Sequence, residues 1–428
     1  MSPSSNQADA LIAQIQRRIE QHGVKHPTHG GAPYYTGYGT VLYDWDAYFD
    51  CIALSYFGME RYAENGLRYF LAAQQPNGFI PRRVLVEPSP SPCRNLEAEE
   101  HCKPFLCQMA LILARLRGDA LWLTPEVFQR LRRYLDHWLT AWDTDGNGLC
   151  EWASAPHSGA DTQFARIGTW RARYCEGVDL NCYLYRELLA AAELAEALDH
   201  EHDASDFRKQ AERMERAIQK LLWGERDGFF YDRDIRTGKS IRVKSASGFL
   251  PLWAGIATNE QARVLVERHL TSPDEFWTAC PIPSLARSEP GYTQFYEPPP
   301  GSDPVYALEP GHANWCGGMW PHWNYFIAHG LADYGYHAEA AHIAERFHAA
   351  VEADPGFYEW YDAETGQGQG MHPFCAGATI LGAILNDELQ WNVDPTQIED
   401  VRKKLDLARI QVCSTDFSRN PITLPRAD

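Results

Sequence analysis

The sequence predicts an all-α fold, a single domain of about a dozen helices paired as hairpins around a ring. Apolar residues recur at spacings of three and four in nearly every long segment, which is the periodicity of an amphipathic helix. Strand-like alternation is scarce, and no low-complexity linker or strict repeat divides the chain. Hydrophobic residues make up 45% of the composition, enough to bury a large core. We therefore expect residues 1–428 to form one domain.

The helical pattern occurs in segments that are separated by short turns, such as the sequence QPNGF at 75–79. The predicted helices cover 8–21, 45–57, 62–74, 104–116, 125–140, 180–198, 204–222, 260–270, 323–330, 338–351 and 375–385. Two long loops, about 78–103 and 283–317, interrupt the series. Because long loops in a compact chain usually have a function, we expect both to lie over the mouth of a binding site.

Charge and cysteine content exclude several classes of partner and location. The formal net charge is −18 and is spread along the chain, which argues against nucleic acid and against an anionic membrane. The 11 cysteines include no CxxC pair, so we expect reduced thiols. The N-terminus lacks a signal-peptide pattern, and no 18 apolar residues run together. These features predict a cytoplasmic protein with a small ligand, and they leave open whether it forms a homo-oligomer.

Aromatic residues stand beside carboxylates at several points along the chain. Phe, Trp and Tyr make up 12% of the residues, and the acidic clusters include YDWDAYF at 43–49, CEW at 150–152 and FYEWYD at 357–362. Sugar rings present apolar faces and hydroxyl edges, so a sugar pocket combines aromatic platforms with polar groups. Hydrolysis of a glycosidic bond needs two carboxyl groups, one protonated and one ionised. The chain has too many acids for chemistry alone to select the pair.

Five segments resemble the trehalase and α-glucosidase I clan, glycoside hydrolase families 37 and 63. The sequence SGAD at 158–161, followed by VDLN at 178–181, resembles the clan's SGxD segment and the helix after it. The other four matches follow the clan's order along the chain. They are YDWDAYF at 43–49, LWGERDGFFYD at 222–232, GMWPHWNY at 318–325 and FYEWYDAETG at 357–366. The resemblance covers about residues 43–366 and is greatest to the small bacterial family 63 enzymes, whose substrates are glycosylglycerates.

The resemblance implies an (α/α)6 toroid and an inverting hydrolase of α-linked sugars. It makes Asp161 the general acid and Glu359 the general base that activates water. An acid that donates a proton near neutral pH needs a raised pKa, so we expect an apolar wall or a second carboxylate beside Asp161. No cofactor is implied. The expected partner is a small α-glucoside or α-mannoside, either a disaccharide or a glycosylglycerate.

Further residues are predicted to bind the substrate. Asp46 is expected to bind sugar hydroxyls, with Trp45 and Trp320 as walls, although an acid at a helix N-terminus also complements the helix dipole. The full set of predicted binding residues is Tyr43, Trp45, Asp46, Gln108, Arg166, Trp320, Asn324 and Trp360. Arg166, with Arg171 and Arg173, could clamp an anionic leaving group or pair with nearby acids such as Glu176.

Departures from the clan pattern leave the sugar and the linkage open. Ala160 precedes the acid where the clan often has a larger apolar residue. Cys316 and Gly318 replace the arginine and proline of the clan's WRGPVW stretch. The N-terminal signature of trehalases is incomplete at 35–42. Trehalose is therefore not the favoured substrate.

No catalytic metal is predicted. Asp143, Asp145 and Asn147 have the spacing of the first ligands of a calcium loop, but the twelfth position is Ser154 rather than Glu, which favours a simple turn. The 16 histidines form no HExxH or zinc-ligand spacing.

A sugar epimerase or isomerase on the same kind of helical toroid is the alternative function. It would require histidines to move a proton at a sugar carbon. The candidates are His101, His157, His322 and His372. A binding-only carbohydrate module is less consistent with the sequence, because it would leave the acid and base motifs unexplained.

Overall fold

The computed structural model describes residues 13–28, 30–86, 100–117, 122–167, 174–295, 314–353, 356–372, 374 and 376–391. Helix α1 covers residues 13–18 and continues into a π-helical turn at Ile19–Gly23. The other helices are α2 (Asp44–Tyr56), α3 (Glu60–Ala72), α4 (Leu106–Arg117), α5 (Pro125–Ala141), α6 (Ala155–Ser158), α7 (Phe164–Ile167), α8 (Val178–Ala197), α9 (Glu201–Leu221), α10 (Leu250–Ala254), α11 (Asn259–Val264), α12 (Pro321–Asp333), α13 (His337–Ala353) and α14 (Gly377–Trp391).

Six of these helices form a closed inner ring. Helix α2 packs on α4, α4 on α8, α8 on α10, α10 on α12, α12 on α14, and α14 returns to α2. Helices α3, α5, α9 and α13 pack against the outside of this ring. The arrangement is an (α/α)6 toroid, as predicted, and the helices of the described chain confirm the all-α fold.

Burial distinguishes the inner helices from the outer ones. Every residue of α2 is buried, as is all of α12 apart from its last residue. In α9 the buried residues recur every three or four positions, from Ala204 to Ile218, and the opposite face is charged. An inner helix is therefore buried all round, whereas an outer helix buries one stripe.

The ring closes where α14 begins against the middle of α2. A Cβ on Gly377 would lie 2.3 Å from the backbone of Phe49 and Asp50, so only glycine allows this approach. The Gly377 N–H donates a 2.6 Å hydrogen bond to the Asp50 carboxylate. Burial, with Asp46 as a lesser cause, raises the pKa of Asp50 well above its ordinary value.

Strands are short and all pairs are antiparallel. They are β1 (Val24–Lys25), β2 (Tyr34–Tyr35), β3 (Val41–Tyr43), β4 (Arg83–Leu85), β5 (Cys175–Glu176), β6 (Trp223–Gly224), β7 (Phe229–Phe230), β8 (Arg233–Asp234), β9 (Lys239–Ser240), β10 (Trp360–Tyr361) and β11 (Gly368–Gln369). The pairs are β1–β2, β3–β4, β6–β7, β10–β11 and the three-stranded β5–β8–β9. Strand β3 leads directly into α2, and the β10–β11 hairpin precedes α14, so both sheets shape the entrance to an inner helix.

One inner helix was missed by the sequence prediction. Helix α10 has five residues and follows a 3-10 turn at Ala246–Phe249, so Gly248 and Pro251 break the apolar periodicity that would reveal it. The remaining predicted helices correspond to observed ones, with ends that differ by a few residues. The predicted helix at 260–270 is α11 followed by a π-helical segment at Leu265–Leu270.

The single-domain organisation of the whole chain stays a prediction, because residues 1–12 and 392–428 lie outside the described residues. Parts of both predicted long loops, 87–99 and 296–313, also lie outside them. Among the described helices, none is both long and apolar enough to cross a membrane.

Candidate active site

A cavity of about 240 Å³ opens at one end of the ring. The first turns of α2 and α12 line it, together with the segments that precede α4 and α14, the turn that carries Asp161, and Arg82. The lining contains four acids, two cations, six rings and two other residues. They are Asp44, Asp46, Asp161 and Glu359; Arg82 and Lys103; Tyr38, Tyr43, Trp45, Trp315, Trp320 and His322; and Gly159 with Met371.

Asp161 reaches the cavity from a tight turn between α6 and α7. Ser154 caps α6 by accepting a hydrogen bond from His157 N, and Gly159 ends the helix with a φ of +80°. A Cβ on Gly159 would lie 2.7 Å from the ring of Trp45, so the turn needs glycine both for its backbone and for its contact.

The environment of Asp161 favours the protonated carboxyl group. Its Oδ1 is buried and has no hydrogen-bond partner among the described residues. Burial raises the pKa of Asp161 to about 7; Arg82 and Lys103 oppose this rise, while Glu100 and Glu359 add to it. The expectation of a raised pKa therefore agrees with the site, and both an apolar environment and neighbouring carboxylates contribute.

Glu359 has a different environment, in which two donors bind its carboxylate. Tyr38 Oη donates to Oε1 at 3.1 Å, and Met371 N donates to Oε2 at 3.1 Å. Burial raises the pKa of Tyr38 well above its ordinary value, with Asp46 and Glu359 adding to the rise, so its phenol remains a donor. Hydrogen bonds of this kind favour the ionised form of a carboxyl group. The two candidate catalytic acids thus differ in their hydrogen-bond environment.

The backbone around Glu359 is specialised. Phe357, two residues earlier, has a φ of +56°, which is uncommon outside glycine. Its ring lies 5.0 Å from the Arg18 guanidinium of α1, and Arg18 also donates to Gly356 O. On the other side, a Cβ on Gly370 would lie 2.9 Å from Glu359 Oε2. The Glu359 carboxylate therefore packs closely against Gly370 and Met371, which follow β11.

Stacked rings form one wall of the cavity. Trp315 and Trp320 stack with centroids 4.0 Å apart, and Trp320 stacks on Trp360 at 6.2 Å. At the other end, Trp45 stacks on His322 at 4.4 Å. His322 also contacts Asp46, with Nε2 and Oδ1 3.3 Å apart. A wall of this kind suits the apolar face of a sugar ring, with Asp46 at its polar edge.

The structure brings together six of the ten residues that were predicted from the sequence. Tyr43, Trp45, Asp46, Asp161, Trp320 and Glu359 all line the cavity. Trp360 lies directly behind Trp320 and is 1% exposed, so it supports the wall rather than lining it.

Three residues that were predicted to bind the substrate are not among those that line this cavity. Asn324 is buried; its side-chain oxygen accepts a hydrogen bond from Ile282 N, and its Nδ2 donates to Ile282 O and Trp320 O. Gln108 lies inside α4, where its Nε2 donates to Pro104 O. Arg166 forms buried ion pairs with Asp179 and Asp232, at 2.8 and 2.9 Å. Each side chain therefore stabilises the protein instead of facing the cavity. Arg171 and Arg173 lie outside the described residues.

The sequence prediction missed several lining residues. Arg82 and Lys103 belong to the predicted loop 78–103, and the position of that loop over the binding site was the only sequence feature that pointed to them. Lys103 is buried, pairs with Asp44 at 2.9 Å, and lies 5.1 Å from the Trp45 ring. Tyr38 and Trp315 lie in stretches that were compared with clan motifs, at 35–42 and 315–320, but neither was predicted to bind substrate, and Met371 lies in none of the matching segments.

The candidate calcium segment forms an ordered turn. Asp143 accepts from Gly148 N and pairs with Arg213 at 3.0 Å, and Asn147 donates to Asp145. Among the described residues, one group of acids lies close enough together to hold a cation: Asp145, Glu151 and Glu176. Arg233, however, forms an ion pair with Glu176 of this group. These hydrogen bonds are typical of a simple turn, which the sequence favoured because Ser154 occupies the twelfth position.

Replacing Arg166 with Met is expected to destabilise the protein rather than alter substrate preference. The substitution leaves Asp179 and Asp232 buried without their cation, a loss of about 3–5 kcal/mol in the free energy of unfolding. Urea unfolding measures it. The control is Arg208→Met, which breaks an exposed pair with Glu196 and should cost at most about 1 kcal/mol. A stable Arg166→Met variant with weakened binding of anionic substrates alone would contradict this assignment.

Comparisons with known proteins find relatives that are named as glycosidases. Mannosylglycerate hydrolase of Rubrobacter radiotolerans is 29% identical over 209 residues, which are 48% of this chain and 42% of that protein. The Thermus thermophilus mannosylglycerate hydrolase is 32% identical over 164 residues, 38% of this chain and 34% of the relative. The chain thus matches less than half of the length of each relative. Cytosolic neutral trehalase of Kluyveromyces lactis is 34% identical over 27% of this chain and 17% of its own length.

Solved structures share the fold. A family 63 mannosylglycerate hydrolase from Thermus thermophilus, in complex with glucose, superimposes with a TM-score of 0.71 at 22% identity, covering 89% of this chain and all of that chain. Neutral trehalase from Saccharomyces cerevisiae gives a TM-score of 0.63 at 19% identity, over 88% of this chain and 79% of the trehalase. The model of the mannosylglycerate hydrolase MGH1-like glycoside hydrolase domain matches residues 40–375. Because this match covers well over half of the sequence, the chain belongs to the MGH1-like glycoside hydrolase family.

Proposed function

We propose that this protein hydrolyses a small α-linked glycoside, such as a glycosylglycerate, with inversion at the anomeric carbon. The observation that carries the proposal is the pair of unlike carboxyl groups in one aromatic cavity. Asp161 has a raised pKa, and its Oδ1 has no hydrogen-bond partner in the described part of the chain, whereas Glu359 accepts two hydrogen bonds. A protonated acid and an ionised base are the two groups that glycoside hydrolysis requires.

In the proposed reaction the Asp161 carboxyl group donates its proton to the glycosidic oxygen as the bond to the anomeric carbon breaks. The Glu359 carboxylate takes a proton from water, and the water oxygen bonds to the anomeric carbon from the opposite face. The aromatic wall packs against the sugar ring. Asp46 accepts hydrogen bonds from sugar hydroxyls.

A glycosylglycerate is favoured over a neutral disaccharide because of the cations in the cavity. Arg82 and Lys103 both line it, and their side chains could bind a carboxylate on the leaving group. Arg82 and Lys103 therefore take the role of binding the anionic leaving group that was predicted for Arg166, whose guanidinium pairs with Asp179 and Asp232. The mannosylglycerate hydrolases among the relatives support the same substrate class.

The test is a panel of α-linked disaccharides and glycosylglycerates, followed by NMR from the first minutes of reaction. Initial release of the β-anomer from an α-linked member would support inversion and identify the substrate. Initial release of the α-anomer would overturn inversion while keeping hydrolysis. Conversion of a sugar into an isomer, with no leaving group released, would favour the epimerase alternative.

The placement of the histidines gives the epimerase alternative little support. Of the four candidates only His322 lines the cavity. His101 and His157 are fully buried, and burial lowers the pKa of both. His372 stacks on Tyr358 outside the cavity lining. Proton transfer by a pair of histidines would need two of them at the sugar.

The pH profile should fall on its alkaline side near the pKa of the acid. Asp161 acts while protonated, so activity is present below a pKa of about 7 and is lost as the pH rises through it. We expect kcat/KM to fall about tenfold per pH unit above this point. Initial rates across acidic, neutral and alkaline buffers of constant ionic strength measure it. Full activity maintained about two pH units above that pKa would contradict the assignment.

The cysteines are consistent with a cytoplasmic location, which we include in the proposal. The described chain contains eight cysteines that are buried and form no disulfide. Free thiols persist in reducing compartments.

A further inference from the structure

Glu100 lies behind the cavity wall and is not part of its lining. It is 5% exposed, and its backbone oxygen accepts a hydrogen bond from Arg82 N at 3.0 Å. The side chains pair as well, with Arg82 Nε 3.1 Å from Glu100 Oε2. Ser154 Oγ donates to the other carboxylate oxygen at 3.0 Å. Glu100 is thus fixed by contacts with two segments of the chain.

Arg82 connects Glu100 with the cavity. Arg82 lines the same cavity as Asp161, and its guanidinium donates to Pro156 O and lies 5.7 Å from the Tyr43 ring. Pro156 belongs to α6, the helix before the Asp161 turn. Burial alone would lower the pKa of Arg82, but Glu100 and Asp161 outweigh it and raise that pKa. The cation therefore interacts with both carboxyl groups.

Two cations and two carboxylates act on the charge of Asp161. Arg82 and Lys103 favour the ionised form, and Glu100 and Glu359 disfavour it. Each cation has its own buried carboxylate, since Asp44 pairs with Lys103 and Glu100 pairs with Arg82. The other titratable groups of the cavity are Tyr38, Tyr43, Asp46 and His322. Removing Glu100 would leave an unpaired guanidinium facing Asp161.

We propose that Glu100 is a positioning residue that keeps Asp161 protonated near neutral pH by pairing with the Arg82 guanidinium. The inference rests on the proposed function, because it takes Asp161 as the general acid. Oδ1 of Asp161 has no hydrogen-bond partner among the described residues, so burial and the neighbouring charges together determine its protonation. Glu100 acts through Arg82 and does not contact the substrate.

The test compares pH profiles of the wild type and Glu100→Gln. The substitution removes a negative charge near Asp161 and releases Arg82, so the alkaline limb of kcat/KM should move down by about one pH unit or more. Activity should be lost at neutral pH and recovered in more acidic buffer. Glu100→Asp should restore part of the shift. A uniform loss at every pH, or an unmoved limb, would overturn the proposal.

Two further variants separate this effect from damage to the fold. Glu64→Gln breaks another pair that involves a buried glutamate, with Arg68 at 2.7 Å on α3, and should leave the limb in place. The double variant Glu100→Gln/Arg82→Met removes both charges, avoids a lone buried cation, and should return the limb towards the wild-type position. A double variant shifted as far as Glu100→Gln alone would contradict the role of Arg82.

A measurement without substrate distinguishes this inference from the proposed function. NMR of protein with ¹³C-labelled aspartate follows the titration of the Asp161 carboxyl carbon, which is identified by its loss in Asp161→Asn. We expect a lower midpoint in Glu100→Gln. A lower midpoint in a protein that hydrolyses no glycoside would remove the proposed function and keep the electrostatic link. Hydrolysis with an unchanged midpoint would remove the link alone.

Discussion

Replacing Asp161 with Asn is expected to lower kcat on a glycosylglycerate between about 10²- and 10⁴-fold, because the leaving oxygen then departs without a proton. The amide keeps the shape of the side chain, and no described residue hydrogen-bonds Oδ1, so the fold should be unaffected. The loss should depend on the leaving group. On an α-glycosyl fluoride, whose leaving group needs little protonation, the variant should retain most of the wild-type rate.

The comparison of the two substrates is the critical measurement for Asp161. If the turn at Gly159 were merely disturbed, both substrates would lose activity alike. Equal loss on glycoside and fluoride, or wild-type activity on both, would contradict the role of Asp161 as acid. Asp136→Asn is a suitable control, since this helix carboxylate on α5 lies outside the cavity lining.

Local sequence patterns predicted the inner and outer helices because burial imposes different periodicities on them. The largely apolar α2 and the striped α9 are each recognisable without knowledge of their neighbours. Asp161 and Glu359 were found through short motifs, which record residues that are adjacent in sequence. Helix α10 is too short to show a period.

Residues that depend on distant partners could not be assigned in this way. Arg166 follows Asp161 by five positions, yet its charge is used by Asp179 and Asp232. Tyr38 reaches Glu359 across 321 positions of sequence. Lys103 and Arg82 face the cavity because their loop pairs with the start of α2, where Asp44 N donates to Arg82 O. The packing of the helical ring determines these contacts, and a pattern of neighbouring residues in the sequence does not predict them.

Replacing Glu359 with Gln is expected to lower kcat between about 10²- and 10⁴-fold on both the glycoside and the α-glycosyl fluoride, since water must be activated whichever group leaves. Gln also tests the hydrogen bonds, because its amide can accept from Tyr38 or from Met371 but not from both through oxygen. Tyr38→Phe removes one of these donors while retaining the carboxylate. It should therefore cost far less activity than Glu359→Gln.

The two substitutions together distinguish an acid from a base. Asp161→Asn should be sensitive to the leaving group, whereas Glu359→Gln should be equally impaired on both substrates. A Glu359 variant that regains activity on the fluoride would make Glu359 the general acid in place of Asp161. The environments of the two side chains are consistent with the proposed assignment. Glu359, which accepts from two donors, is suited to remain ionised, and Asp161, whose buried Oδ1 has no hydrogen-bond partner among the described residues, is suited to hold a proton.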